Sequence, residues 1–166
     1  MNIAEQKGAT LIETILYIGL LSIVLLFLVA FYQEATFLNG KVNEKINLIH
    51  NGQNVLNTIS WYLQNAKSLE TPTAGNSSDV LVVYPNSIFD GPIKFFVENQ
   101  ILKMQIADEA PQNMINEGTK VKNIVFSNYA FLNQPALVEI KLTLESQSPF
   151  WQSQPVDLQT AVKLEK

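Results

Sequence analysis

The sequence from Lys7 to Tyr32 reads KGATLIETILYIGLLSIVLLFLVAFY, and the rest of the chain is organised around it. Between Ile15 and Tyr32 it contains no charged side chain. As an α-helix this part rises about 1.5 Å per residue and covers about 27 Å, close to the thickness of the hydrocarbon layer of a bilayer. The pattern therefore predicts a helix that can span a membrane.

A secretory signal is the usual interpretation of an apolar segment near the start of a chain. Such a signal places a small-x-small cleavage site after the apolar run, but here the residues that follow are Phe31, Tyr32 and Gln33, and the suitable small residue, Gly8, lies before the run. The apolar segment also contains Glu13. An acid at the centre of a membrane helix costs about 2.5 to 3.5 kcal/mol, and less near an end. Glu13 is thus either an interfacial carboxylate or an acid with a specific partner.

Residues 7–13 resemble the class III signal of type IV prepilins and pseudopilins. In that signal a glycine precedes the cut and a glutamate is the fifth residue after it; this chain has Gly8 and Glu13 at those positions, with Lys7 before them and Thr10, Leu11 and Ile12 between them. The resemblance implies cleavage between Gly8 and Ala9 by a prepilin peptidase and N-methylation of Ala9. The family most often has phenylalanine or methionine directly after the cut, where this chain has Ala9.

The same resemblance assigns a role in assembly to Glu13. In pilins this glutamate pairs with the N-terminal amine of a neighbouring subunit, and the apolar helix remains as membrane anchor and filament core. A carboxylate in a low dielectric is costly alone and much less so beside a cation. Such a pair would fix the register of stacked subunits.

The composition limits the other functions of the chain. Its 166 residues allow one domain beyond the anchor, and the net charge is −4. All eleven basic residues are lysine, which argues against direct nucleic-acid binding because arginine is the usual groove reader. The chain contains no cysteine, so the domain does not depend on disulfides.

We predict four segments: a leader over residues 1–8, a transmembrane and filament-core helix over 9–32, an amphipathic continuation of the helix over 33–67, and a sheet domain over 68–166 that forms one globular unit with 33–67. Lys7 beside the apolar run places the N-terminus in the cytoplasm and the domain outside. The apolar stripe of the continuation recurs at spacings of three, four or seven and consists of Ile46, Ile49, Leu56, Ile59, Leu63 and Ala66.

The remainder reads as a loop followed by strands. Residues 68–79 are rich in Pro, Gly, Ser and Asn and predict a loop. Strands are predicted over 80–84, 93–98, 101–106, 121–129, 137–145 and 160–164, with a hairpin turn at Asn99-Gln100. The stretch from 107 to 120 is polar. The predicted fold is α+β and pilin-like, a long helix packed on an antiparallel sheet of four to six strands, and its order of elements resembles the larger J-type minor pseudopilins.

Few residues suggest chemistry. His50 is the only histidine, so a Ser-His-Asp triad or a His-rich metal site is not expected, and we interpret it as a solvated helix residue. A calcium site is conceivable at the acids Asp79, Asp90, Asp108 and Glu109. The chain lacks the usual D-x-D-x-D-G series of a calcium-binding loop, however, so we predict no metal site and no cofactor. Phe150-Trp151 reads either as an exposed contact patch or as a cover for the open end of the sheet.

We therefore expect a non-enzymatic minor pilin or pseudopilin of a type IV pilus-like or type II secretion filament. Its expected partners are sister pilins, the prepilin peptidase, an inner-membrane platform protein and membrane lipid. It is expected as a single-pass protein of the cytoplasmic membrane and then in the pilus or pseudopilus. The alternative is a signal-anchored extracytoplasmic binding domain that does not polymerise; a membrane-tethered hydrolase is disfavoured by the lone histidine.

Overall fold

The computed structural model describes residues 10–86, 91–130, 136–148 and 154–164. In these residues the chain forms one long N-terminal helix followed by strands in two antiparallel sheets, which confirms the predicted α+β class. The chain divides into two compact units, Met1–Gly40 and Lys41–Lys166. The predicted boundaries at 8/9, 32/33 and 67/68 stay predictions.

Helix α1 runs from Leu11 to Gln64 without a break. No proline occurs in this range, and proline is the residue that most often interrupts a helix. At the end of the helix, the Asn65 amide N–H donates to the carbonyl of Trp61 at 3.1 Å, and the Asn65 side-chain Nδ2 donates to the same carbonyl at 2.7 Å. Helix α1 ends at Gln64, three residues before the end that we predicted for its amphipathic continuation.

Nine strands follow the helix within the described residues. They are β1 (Ala66–Thr71), β2 (Ser77–Ser78), β3 (Leu81–Pro85), β4 (Ile93–Glu98), β5 (Ile101–Ile106), β6 (Gln112–Asn113), β7 (Thr119–Asn128), β8 (Leu137–Ser146) and β9 (Val156–Lys163). One sheet has the order β1-β3-β4-β5-β6 and the other β2-β7-β8-β9. The strands thus form two sheets, where the sequence suggested one.

The predicted β4–β5 hairpin is confirmed to the residue. Its ladder pairs Ile93 with Ile106 and Glu98 with Ile101. The turn residues Asn99 and Gln100 both have positive φ, 52° and 64°, which matches the right-handed twist of the two strands. The local sequence therefore correctly predicted both the strands and the turn of this hairpin.

The predicted loop and the polar stretch both contain strand residues. The segment 68–79 was expected to be a loop, but it holds most of β1 and all of β2. The polar stretch 107–120 contains β6 and the first two residues of β7. Strand β9 begins at Val156, four residues before the predicted start at Thr160. Strand β2 pairs with β7, about fifty residues away, so this pairing overrides a weak local preference.

The core of the second unit is built from one face of α1 and the inward faces of both sheets. The buried helix residues are Leu48, Gly52, Val55, Leu56, Ile59 and Leu63. The predicted stripe was right for Leu56, Ile59 and Leu63, while Ile49 is half-buried and Ala66 is buried in β1. The prediction was wrong for Ile46, which is 44% exposed. The true stripe begins at Leu48.

Strand β8 has the alternation that the sequence predicted. Val138, Ile140, Leu142 and Leu144 are buried, whereas Glu139, Lys141 and Thr143 face outward. Each fully buried aliphatic side chain contributes about 1.5 to 3 kcal/mol relative to exposure. This strand pairs with β7 on one side and β9 on the other, so it is central to its sheet.

Asn128 ties the end of β7 to the segment that follows β1. Its buried side chain donates from Nδ2 to the carbonyl of Pro72 at 2.9 Å and accepts at Oδ1 from the amide of Ala130 at 3.0 Å. Its backbone bonds to Gly75 and Asn76, both at 2.9 Å. Asn128 thereby provides hydrogen-bond partners for four polar groups of other residues and satisfies its own buried backbone and side-chain groups.

Candidate functional site

The candidate anchor and assembly site is the first turn of α1 and the apolar surface that follows it. Thr10 directly precedes the first helical residue, and its Oγ1 accepts a hydrogen bond of 3.3 Å from the amide of Glu13. Thr10 is therefore the N-cap. A threonine three residues before a glutamate is the sequence of a capping box, so the Thr10–Glu13 motif has a local structural role that the sequence analysis missed.

Glu13 is the acid of the first helical turn. Negative charge at this end interacts favourably with the helix dipole. One turn further on, the Tyr17 hydroxyl donates a hydrogen bond of 3.3 Å to Glu13 Oε1. An ionised carboxylate has about four acceptor positions, so this bond leaves capacity for a cation or another donor. The position of Tyr17, four residues after the only acid of residues 7–32, is the sequence signal that could have predicted this hydrogen bond.

The apolar residues after Glu13 are exposed in the single subunit. Leu11 and Ile12 are 81% and 77% exposed, and large apolar side chains up to Phe31 are exposed as well. By length and composition, α1 is the one helix of the described residues that could cross a membrane. Because this surface is continuous and apolar, lipid or another apolar surface is its favourable environment.

The hydroxyl groups within this apolar run are satisfied inside the helix. Ser22 Oγ donates to the carbonyl of Ile18 at 2.8 Å, and Thr14 Oγ1 donates to the carbonyl of Thr10 at 3.3 Å. A polar group in hydrocarbon is costly unless it is hydrogen-bonded. These bonds let the helix enter an apolar phase without unpaired hydroxyls at these two positions.

The structure places only part of the predicted signal. Thr10, Leu11, Ile12 and Glu13 form the cap and first turn of α1, and the structure brings Thr10 and Glu13 together. Lys7, Gly8 and Ala9 lie outside the described residues. Cleavage between Gly8 and Ala9 and methylation of Ala9 stay predictions.

A polar cleft of about 550 Å³ lies in the second unit, between α1 and the turn before β7. Its lining includes Glu44, Asn47, His50, Asn51, Asn54, Asn116, Glu117 and Thr119. The amide side chains of α1 fall on one helix face at positions 47, 51 and 54. This spacing of amide side chains is a sequence signal for the cleft.

The cleft is held by a chain of side-chain hydrogen bonds. Asn116 Nδ2 donates to Asn51 Oδ1 at 2.8 Å, and Asn51 Nδ2 donates to Thr119 Oγ1 at 3.0 Å. Ser146 donates to Glu44, which lies two helical turns before Asn51 on α1. These bonds fix the helix against the turn and β8, so a structural role accounts for Asn51 and Thr119.

Tyr129, Glu139 and Lys141 form a polar cluster on the outer face of the second sheet. Lys141 Nζ lies 3.1 Å from Glu139 Oε2, and the Tyr129 hydroxyl donates to the same oxygen at 3.0 Å. The lysine and the phenol lower the pKa of Glu139, and the glutamate raises the pKa of Lys141. Lys141 is therefore a protonated partner at neutral pH, which argues against its use as a general base.

The other candidates for chemistry are dispersed. His50 is exposed on α1, as predicted, and Asp79, Asp108 and Glu109 are exposed. Within residues 10–86, 91–130, 136–148 and 154–164, no group of three or more His, Cys, Asp or Glu side chains could hold a metal ion. Asp90 and the aromatic pair Phe150-Trp151 lie outside the described residues.

Comparison of the chain with models of protein families, with curated proteins and with solved structures gave no match.

Proposed function

We propose that this chain is a minor pilin or pseudopilin, a structural subunit of a type IV pilus-like or type II secretion filament. The observation that carries the proposal is the order of features at the N-terminus. A glycine, a Thr-Leu-Ile-Glu turn that caps the helix, and an uninterrupted apolar helix follow one another directly. Two antiparallel sheets follow the apolar part of the helix.

The anchor follows from the exposed apolar surface of α1. Side chains between Leu11 and Phe31 cannot be covered by water without a cost of about 25 cal/mol per Å² of apolar area. The membrane covers them before assembly, and the same surface is then buried among neighbouring helices in the filament core. One apolar helix therefore serves two successive environments.

Glu13 supplies the polar contact of assembly. Cleavage after Gly8 would create a new amine on Ala9, and the Glu13 carboxylate of one subunit would pair with that amine of its neighbour. The bond from Tyr17 occupies one acceptor position of Oε1, so Glu13 can accept both contacts. A charge pair at one position in an otherwise apolar surface fixes the axial register of the two helices.

The proposal extends to the partners and the compartment. The chain would be cut by a prepilin peptidase, contact sister pilins and an inner-membrane platform protein, and lie in membrane lipid before extraction. Its N-terminus would be cytoplasmic and its domain extracytoplasmic. The role is mechanical, and we propose no catalytic activity.

The polar cleft favours a second candidate. A cleft rich in amide groups beside Glu44 and Glu117 could bind a polar ligand, which fits a signal-anchored extracytoplasmic binding domain that does not polymerise. The two candidates differ at the N-terminus, because only the first requires cleavage after Gly8.

Mass spectrometry of the purified protein tests the proposal. We expect a mature N-terminus at Ala9, with or without a methyl group. Gly8→Val should leave the leader attached, because glycine lets the backbone enter the protease site without a Cβ. Gly19→Ala is the matched control, since a Cβ there meets no atom within 4 Å and processing should be normal. An intact Met1 in the native protein, or unchanged cleavage of Gly8→Val, would overturn the assignment.

A further inference from the structure

Strand β9 is the long regular edge among the strands that the structure describes. The other edge strands are β1, β6 and β2. Strands β2 and β6 have two residues each, and the ladder of β1 with β3 has two register shifts. Short or bulged edges are poor templates for another strand. In contrast, β9 pairs with β8 through eight consecutive residues without a shift.

The side chains of β9 do not block this edge. Asp157, Gln159, Ala161 and Lys163 are exposed on one face, and the opposite face carries Val156, Leu158, Thr160 and Val162. A charge in the middle of an edge strand is a common protection against pairing. Here the residues from 158 to 162 are uncharged, and the two charges lie near the ends with opposite sign.

We propose that β9 is a docking edge for a second copy of this chain, whose own β9 pairs with it antiparallel around a two-fold axis at Thr160. In this register Asp157 lies opposite the partner's Lys163, and Lys163 lies opposite the partner's Asp157. Leu158 lies opposite the partner's Val162 on the other face. Opposite charges directly across an antiparallel pair are stabilising, so both ends of the interface are complementary.

Other registers of the two β9 strands do not place Asp157 opposite the partner's Lys163. A slip by one residue would place inward side chains opposite outward ones and is excluded by the pleat. A shift of the axis to Gln159 places Asp157 opposite the partner's Ala161 and moves Lys163 opposite the partner's Pro155, which has no amide hydrogen. The pairing of Asp157 with Lys163, the match of inward with inward side chains and the position of Pro155 therefore all favour the axis at Thr160.

Asp157 is prepared for this contact by its own sheet. Thr143 Oγ1 donates to Asp157 Oδ1 at 2.7 Å, which orients the carboxylate on the exposed face of the sheet. The second carboxylate oxygen keeps its acceptor capacity for an ammonium group. The pairing would join two four-stranded sheets into one continuous sheet, closed by symmetry.

This inference does not depend on the proposed pilin role. A two-fold pair does not propagate, and subunits of a polar filament all point in one direction. If the chain is a pilin, the pair therefore forms between subunits outside a single filament.

Disulfide trapping in the full-length chain tests the pairing, because the native sequence contains no cysteine. Facing Cα atoms in an antiparallel pair lie about 4.5 or 5.5 Å apart, within the range of a disulfide. We expect Thr160→Cys to give a disulfide-linked dimer on mild oxidation in membranes. Asp157→Cys alone should not, since the two sulfurs would be about 20 Å apart. A mixture of tagged Asp157→Cys and Lys163→Cys chains should cross-link to each other.

Charge reversal in the Thr160→Cys background tests the register. Asp157→Lys or Lys163→Asp alone should reduce the dimer yield several-fold, and the two together should restore it, because the charges face each other again. Thr143→Val is the matched control for the lost Thr143 bond and should keep most of the dimer. A monomeric Thr160→Cys chain, equal trapping by Asp157→Cys alone, or a double reversal that stays as low as the single variants would overturn the proposal.

Discussion

The Tyr17 hydroxyl lies 3.3 Å from Glu13 Oε1, one helical turn along α1, and donates a hydrogen bond to it. The two groups form a polar pair at the start of an otherwise apolar surface. In a membrane such a pair is less costly than a lone carboxylate, because the phenol replaces one lost hydrogen bond to water. The bond also restricts the direction in which Glu13 presents its charge.

The first prediction concerns assembly through this pair. Glu13→Ala should be processed normally but assemble poorly, because a neighbour's buried amine loses its partner, at a cost of about 3 to 5 kcal/mol or more than a hundredfold. Glu13→Gln should be intermediate. Tyr17→Phe keeps the charge and loses one hydrogen bond worth about 1 kcal/mol, so its defect should be less than tenfold. The measurement is the amount of each variant in sheared filaments, with leader cleavage determined in the same samples. Undiminished incorporation of Glu13→Ala would contradict the proposed role of Glu13 in fixing the register.

The second prediction concerns Asn128. Asn128→Ala leaves the buried carbonyl of Pro72 without its side-chain partner, at a cost of about 1 to 3 kcal/mol, and also removes the acceptor of the half-buried Ala130 amide. Asn128→Asp keeps the acceptor for Ala130 but loses the donor to Pro72. Both variants should be destabilised in urea unfolding followed by tryptophan fluorescence. If Asn128→Ala unfolded at the same urea concentration as the native chain, the side-chain hydrogen bonds of Asn128 would contribute nothing to stability.

The third prediction concerns the close approach of α1 to the second sheet. A Cβ at Gly52 would collide with Cδ1 of Leu158 and lie 3.0 Å from Cδ1 of Leu144. Leu144 is fully buried, so it has little room to move. Gly52→Leu should therefore destabilise the protein by about 1 to 3 kcal/mol.

Leu158→Ala provides the matched background for that test. It removes the side chain that Gly52→Leu strikes first, so the two substitutions together should cost less than the sum of their separate effects. Urea midpoints of the four proteins measure this coupling. Simple additivity would show that the side chains do not compete for the same space.

The fourth prediction concerns pH. The pKa of Glu139 is lowered from its usual 4.5 by Lys141 and Tyr129, so its contribution to stability is complete above that value and lost as pH falls through the lower folded pKa. The pKa of Lys141 is raised from 10.5, so its contribution is lost only as pH rises above that value. The pair therefore stabilises from about pH 5 to pH 10.

Urea unfolding of the native chain and Glu139→Gln from pH 3 to 7 checks the acid side of this window. The stability difference between the two should shrink as the solution becomes more acidic. In a Lys141→Gln background the main cause of the lowered Glu139 pKa is removed, so the stability difference between chains with and without Glu139→Gln should depend less on pH. A difference that grew toward low pH would contradict the assigned sign.

The parts of the fold that the sequence predicted are those with local causes. The β4–β5 hairpin follows from two apolar runs around Asn99-Gln100, and the outward pattern of β8 follows from strict alternation. The division into two sheets had no local signal. It depends on pairs such as Ser77 with Ser127, which are fifty residues apart in sequence. The bond from the Val121 amide to the Gln100 carbonyl then links the two sheets.

The candidate site divides in the same way. Glu13 was predicted as a functional residue because it is a charge in an apolar segment. The hydrogen bond from its amide to Thr10 and the bond that its carboxylate accepts from Tyr17 depend on side-chain conformations, which a family resemblance does not supply. The polar cleft was missed because its lining comes from α1 and from a turn more than sixty residues later. Asn and Thr are also common in solvated loops, so neither residue type marked it.

The long separation of Ser77 and Ser127 has a consequence for the order of events during folding. Strands β3, β4 and β5 meet neighbours close in the chain, whereas β2 must wait for β7. Closing a longer loop costs more chain entropy before any contact is gained, and β2 offers only two residues in return. We therefore expect the β2 edge to be the part of the second sheet that forms late and opens first. The bonds of Asn128 to the segment just before β2 should stabilise the closed edge.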